Sequence, residues 1–149
     1  VPATYACVFG ISKGVKGFEP GGVEFTLNKQ STILVADGKE DHTYWGLMVN
    51  MGQTVYGSSI PRFTKEQEEE LAKIHWNDQI SLDIKFSDLY THRVASAYSP
   101  LAEFVHKNWH FGRIMTIGDA CHKVNADPSV VQLARANSFT DACRDWSRR

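Results

Sequence analysis

Phe111-Gly-Arg-Ile-Met-Thr-Ile-Gly-Asp-Ala-Cys-His-Lys123 is the stretch around which the chain is organised. Ile114 to Ile117 is a short apolar run bounded by Gly112 and Gly118, which reads as a buried strand. Gly118-Asp119 ends it in a turn. Gly118 permits close backbone approach, and Asp119 places an acceptor-only carboxylate at the strand's C-terminal end. In α/β sheets ligands collect at that end. Asp119 therefore reads either as an acceptor for a sugar-like hydroxyl or as the cap of the next turn.

Upstream, apolar alternation predicts an antiparallel sheet. Thr4 to Ile11 is β-branched, aromatic and apolar. In Val23 to Leu27, Val23, Phe25 and Leu27 alternate with Glu24 and Thr26, the pattern of a half-buried strand. Thr32 to Ala36 follows, Asp37-Gly38 opens a hairpin turn through Asp41, and Thr43 to Met51 returns with Tyr44, Trp45, Leu47, Met48 and Val49. The regular turn spacing fits a meander. Thr64-Lys-Glu-Gln67 is a capping box that starts a helix to about Trp76, with Glu66, Glu68, Glu69 and Glu70 as a solvated acidic face. Asp78 to Ser87 reads as a second short helix or extended piece, and Tyr90 to Ser99 as a strand. Pro100 to Val105 reads as turn and short helix, and Val130 to Trp146 as a closing helix. The expected fold is α+β: one domain over residues 1–149, an antiparallel sheet of about five to seven strands and three or so helices.

Bulk properties exclude several function classes. A length of 149 residues supports one domain with a real core, and from the start at Val1-Pro2 a trimmed or partial N-terminus is expected. A net charge of -1 gives no electrostatic case for nucleic acid. No apolar stretch approaches the roughly 20 residues that span a bilayer. Cys7, Cys121 and Cys143 are too scattered for a disulfide framework and point to a reducing, cytoplasmic setting. His106 and His110 would share a helix face, but His106-Lys-Asn-Trp-His110 lacks the glutamate of a zincin helix, so no metal is expected. Cys121 and His122 are adjacent and point apart on a regular element, which disfavours a nucleophile pair.

Gly112-Arg113, the apolar run, Gly118-Asp119-Ala120 and His122-Lys123 resemble the second flavin-binding motif of FAD-dependent monooxygenases of the p-hydroxybenzoate hydroxylase type. The fungal secondary-metabolite epoxidases and hydroxylases are the nearest branch. Tyr5-Ala-Cys-Val-Phe-Gly-Ile-Ser12, Pro61-Arg-Phe-Thr64, Phe86-Ser-Asp-Leu89, Leu101-Ala-Glu103 and Trp109-His110 fall in that family's order. The resemblance implies the family's middle, substrate-binding domain plus its return into the flavin domain. It implies FAD as cofactor, with Asp119 on the ribityl chain beside Arg113 and Gly118, and a hydrophobic small molecule as substrate. Of the aromatic set Tyr5, Phe9, Trp45, Tyr56, Tyr90 and Tyr98, one face packs on helices and the other walls a pocket, for which Phe9, Trp45 and Leu47 are the candidates.

Two departures qualify the resemblance. The family's opening Gly-x-Gly-x-x-Gly turn, which holds the ADP half of FAD, is missing: Gly10, Gly14, Gly17, Gly21 and Gly22 have other spacings. The glycine-rich loop after Gly-Asp is replaced by Asn125 to Asn137, where Cβ atoms would bar close backbone approach. This chain alone is therefore not expected to retain FAD, and a flavin-free descendant is the alternative. It would catalyse cyclisation or isomerisation with Asp119 as acid/base and His122 as helper, unless the chain is a non-catalytic dimerising module. With no dinucleotide domain to cover them, Ile114, Met115 and Ile117 predict a two-fold homodimer.

Overall fold

The computed structural model describes residues 1–123. The divergent loop from Asn125, the closing helix and Cys143 lie outside the described residues. Five strands form one antiparallel sheet: β1 (Pro2–Lys13), β2 (Val23–Leu27), β3 (Ser31–Asp37), β4 (His42–Tyr56) and β5 (Arg93–Ala102). Their order is β2-β3-β4-β1-β5, so the meander covers only β2 to β4, and β1 fills the gap between β4 and β5. The hairpin at Asp37-Gly38 forms as expected, with Glu40 and Asp41 at positive φ of 58° and 63°.

Helix α1 (Lys65–Ile74) begins at the anticipated box: Gln67 N–H donates to Thr64 Oγ1 at 3.4 Å, and Thr64 N–H donates to Gln67 Oε1 at 2.9 Å. Of the short helix or extended piece expected over Asp78 to Ser87, the helix starts only at Phe86. Residues 76–85 close as a loop in which the Gln79 amide donates to the carbonyls of Ser81 and Leu82. Helix α2 (Phe86–Thr91) starts only where the Asp88 carboxylate accepts the Lys85 N–H at 2.8 Å.

Strand pairing sorts the side chains onto two faces, because directly opposed residues share a face and neighbours alternate. Ala6, Val8, Gly10 and Ser12 of β1, Thr43, Trp45, Leu47 and Val49 of β4, and Ile33 and Val35 of β3 share one face. Ala72 of α1 and Phe86, Leu89 and Tyr90 of α2 complete a single core there.

The chain then leaves the sheet in a small unit of two-residue strands, where turn and short helix were expected after Pro100. Strand β6 (Phe104–Val105) pairs with β9 (His122–Lys123), and β7 (His110–Phe111) pairs with β8 (Ile114–Met115). Trp109 holds the unit together: it is buried, stacks on His122 with centroids 5.1 Å apart, and donates to the His106 carbonyl at 2.8 Å. The expectation of a buried strand over Ile114 to Ile117 is corrected. Ile114 and Ile117 are 72% and 66% exposed, because β7 is the only strand that β8 pairs with among the described residues.

Candidate functional site

Around Phe9, Tyr44 and Phe25 the second face of the sheet is apolar and is left open by the described residues. Phe9 of β1 lies opposite Gly46 of β4 and Ala97 of β5, Ile11 lies opposite Tyr44 and Ala95, and Phe25 of β2 lies opposite Leu34 of β3. Phe9, Tyr44 and Phe25 are 50%, 48% and 66% exposed. The alternation in β2 is therefore real but inverted: Val23, Phe25 and Leu27 point away from the helices, and Glu24 and Thr26 point toward them. The cause is the loop before α2, whose Ile80 carbonyl accepts the Thr26 hydroxyl at 3.2 Å. An apolar patch that spans this many strands marks a binding surface.

A groove of about 370 Å³ runs along this face, with Phe9, Ile11, Tyr44, Ala95 and Ala97 on its walls. Ala97, a small residue opposite Phe9, leaves a valley on one side of the Phe9 ring, while on the other side Gly46 is buried and a Cβ there would stand 3.2 Å from Cys7 Sγ. The groove's walls are almost without polar groups, so a ligand seated there is held by shape and by apolar area.

Of the three wall candidates, only Phe9 lies on this face. Leu47 is fully buried on the helix side. Trp45 adjoins the groove, but its ring lies over Gly10 on the helix side: a Cβ on Gly10 would stand 2.0 Å from it. There Trp45 meets Phe86 edge-on at 5.3 Å and donates to Ser12 Oγ at 2.7 Å. The period-two rule puts Trp45 and Leu47 together, but it does not say which face the helices cover. Of the other aromatics, Tyr90 and Tyr98 also lie on the helix side, and Phe63 stacks on Tyr98 at 3.8 Å.

The Gly-Asp turn has the expected shape. Gly118 has φ of +60°, a conformation that favours glycine, and residues 118–120 form one turn of 3-10 helix. Arg113, Gly118 and Asp119 are all exposed. The partial burial that an Asp119 acid/base would require is absent, and the His122 ring stacks on Trp109. For flavin, the chemistry of the turn fits one end only. The carboxylate can accept from polyol hydroxyls and the guanidinium can face an anion, but no described helix follows a glycine triplet to cradle a pyrophosphate. The described residues do not amount to an FAD site.

Sequence reasoning missed one residue. Glu68, assigned to a solvated acidic face, is 2% exposed. Its carboxylate accepts from Lys65 Nζ at 2.7 Å, Ser96 Oγ at 2.6 Å and the Tyr90 hydroxyl at 3.1 Å. Burial pushes the carboxyl up, but the bonds from Lys65 and Ser96, the Lys65 charge and the Tyr90 hydroxyl outweigh it and hold it below its ordinary value. Tyr90 is pushed up to about 12, first by burial and then by the Glu68 charge. The Cys7 thiol is pushed up to about 12 by burial, which disfavours its thiolate. Among the described residues no cluster of three or more His, Cys, Asp or Glu could hold a metal, and no helix is long and apolar enough to cross a membrane.

No family profile and no solved structure matches the chain. Curated proteins do match. The FAD-dependent monooxygenase anuJ of Penicillium roqueforti is 34% identical over 82% of this chain and 15% of its own length. The FAD-dependent monooxygenase olcE of Penicillium canescens is 33% identical over 93% and 31%. The FAD-dependent monooxygenase esdpE of Penicillium shearii is 32% identical over 80% and 25%. The chain thus spans less than a third of the length of each of these relatives. Along most of its own length it is related to the fungal FAD-dependent monooxygenases.

Proposed function

We propose that the open face of the sheet is the substrate-facing wall of an FAD-dependent monooxygenase that hydroxylates or epoxidises a hydrophobic natural-product intermediate. The observation that carries this reading is the inverted exposure of the sheet. Its helix-covered side is an ordinary core, and its other side, around Phe9, is apolar, exposed among the described residues, grooved, and joined to a chain segment that carries the Gly-Asp turn. In such an enzyme the oxygen chemistry is the flavin's. This chain's part is to seat an apolar substrate, exclude water from it, and set which carbon it presents. The acid/base alternative lacks support from Asp119, which is exposed.

This chain supplies a wall and one turn, and the remainder of a relative's length supplies the phosphate cradle. The test is a chimera in which residues 1–123 replace the matching stretch of the Penicillium canescens relative. A folded, FAD-loaded chimera should oxidise a hydrophobic substrate, and Ala97→Arg, which fills the valley beside Phe9, should reduce its kcat/KM by about 10²-fold or more. Unchanged kcat/KM in that variant at full flavin loading would refute the wall.

A further inference from the structure

The open face changes character along the strands. Around Phe9, Tyr44 and Ala97 it is apolar. Past Met48 a second depression of about 160 Å³ opens, lined by Tyr5, Thr32 and Asn50 on the sheet and by Lys29 in the β2–β3 turn. The register puts both on one face, since Gly46 lies opposite Phe9 and Asn50 lies opposite Tyr5. The four steps along β4 from Gly46 to Asn50, at about 3.3 Å each, separate the two by about 13 Å.

The polar end is rich in donors. Asn50 Oδ1 accepts the Gly52 N–H at 2.8 Å, which turns the amide so that Nδ2 remains as a donor. Lys29 carries the one formal charge among the residues that line this depression. The carboxylate tied to the turn, Asp78, is outside the lining and is engaged by His75 at 2.7 Å and by Asn28 at 3.2 Å. A cation and an amide donor at one end of an otherwise apolar track fit an acceptor oxygen, and an anionic one best.

We propose that this face takes an elongated, flat apolar molecule with one anionic oxygen head, a carboxylate or phenolate. The head sits at Lys29 and Asn50, and the body lies along the track to Phe9. The proposal rests on the reading of the open face as a substrate wall and adds to it the polarity and direction of the ligand.

The test titrates the 149-residue chain with biphenyl-4-carboxylate and, separately, with the neutral biphenyl-4-carboxamide, by calorimetry. The acid should bind more tightly than the amide. Lys29→Met, which keeps the aliphatic stem, should weaken the acid about three- to five-fold, as expected for an exposed charge contact, and leave the amide unchanged. Raising the salt to about 0.5 M should have the same effect on the unsubstituted chain. Phe9→Ser should weaken both probes. All of these positions are exposed, and equal melting temperatures confirm the fold. Equal binding of acid and amide before and after Lys29→Met overturns the head-group assignment and leaves the wall standing. Failure of both probes to bind, or indifference of both to Phe9→Ser, overturns the wall and this proposal with it.

Discussion

Trp45 donates its indole N–H to Ser12 Oγ at 2.7 Å, and the Ser12 hydroxyl donates in turn to the Leu89 carbonyl at 2.6 Å. The relay joins β4, β1 and α2 through buried groups, each of which would be costly to leave unpaired. It also explains Gly10, whose missing Cβ is the space that the indole fills. Trp45→Phe keeps an aromatic ring but strands the Ser12 acceptor, and is expected to cost about 1–3 kcal/mol in urea unfolding. Gly10→Ala should cost about as much by overpacking. A Trp45→Phe variant as stable as the parent would show that the relay contributes nothing.

Glu68 predicts how the fold responds to acid. Its carboxyl lies below the ordinary 4.5 in the folded chain. The unfolded chain therefore binds the proton more readily, so the stabilisation is complete above about pH 4.5 and is lost as pH falls through the lower folded value. Glu68→Gln should be less stable than the parent at neutral pH, by about 1–3 kcal/mol for disturbing buried hydrogen bonds. Its stability should also fall less steeply below pH 4.5. Parallel pH–stability curves for the two would rule out Glu68 as a source of that slope.

Local signals were readable where one residue type has one physical use. The Thr64 box, the Asp37-Gly38 hairpin and the period-two strands all form. The readings that failed were those in which tertiary structure decides between two faces that look alike in sequence. Val23, Phe25 and Leu27 have the pattern of a half-buried strand, yet the helices cover the opposite side, and Trp45 and Leu47 fall in the core by the same choice. Glu68 reads as one of four similar glutamates. Only the arrival of Ser96 and Tyr90 from distant elements separates it from its neighbours.

The two apolar faces should therefore respond oppositely to substitution. Phe25→Lys introduces a charge at a position that is 66% exposed, and is expected to change stability by less than about 0.5 kcal/mol while raising solubility. Leu47→Ala empties a fully buried site and should cost about 2–5 kcal/mol. Thermal melts of both variants check this. A large loss from Phe25→Lys would mean that the open face is already covered in solution.

The described residues hold no phosphate cradle, and the chain by itself is expected not to retain FAD. Incubation with excess FAD followed by gel filtration should return protein without flavin absorbance. A stoichiometric yellow fraction would show that Arg113 and Asp119, together with residues beyond the described ones, form a working site.

The β7–β8 hairpin and the turn after it hold apolar residues that nothing in the described chain covers. Phe111 is 88% exposed, Ile114 72% and Ile117 66%. A hairpin of two-residue strands is marginal on its own, so it gains from being buried against a partner surface. In the longer relatives the additional chain can provide that surface, whereas for this chain alone a second copy is the simplest source. A C2 pairing would place the same side chains on both partners, so one substitution acts twice. Light scattering is expected to show a dimer at micromolar concentration, and Ile114→Lys combined with Ile117→Lys should return a monomer of unchanged melting temperature, since neither side chain supports the sheet core. A parent chain that is monomeric throughout the concentration series would remove the second copy as the cover for this hairpin. A double variant that stays dimeric would move the interface elsewhere, most directly to the open face of the sheet.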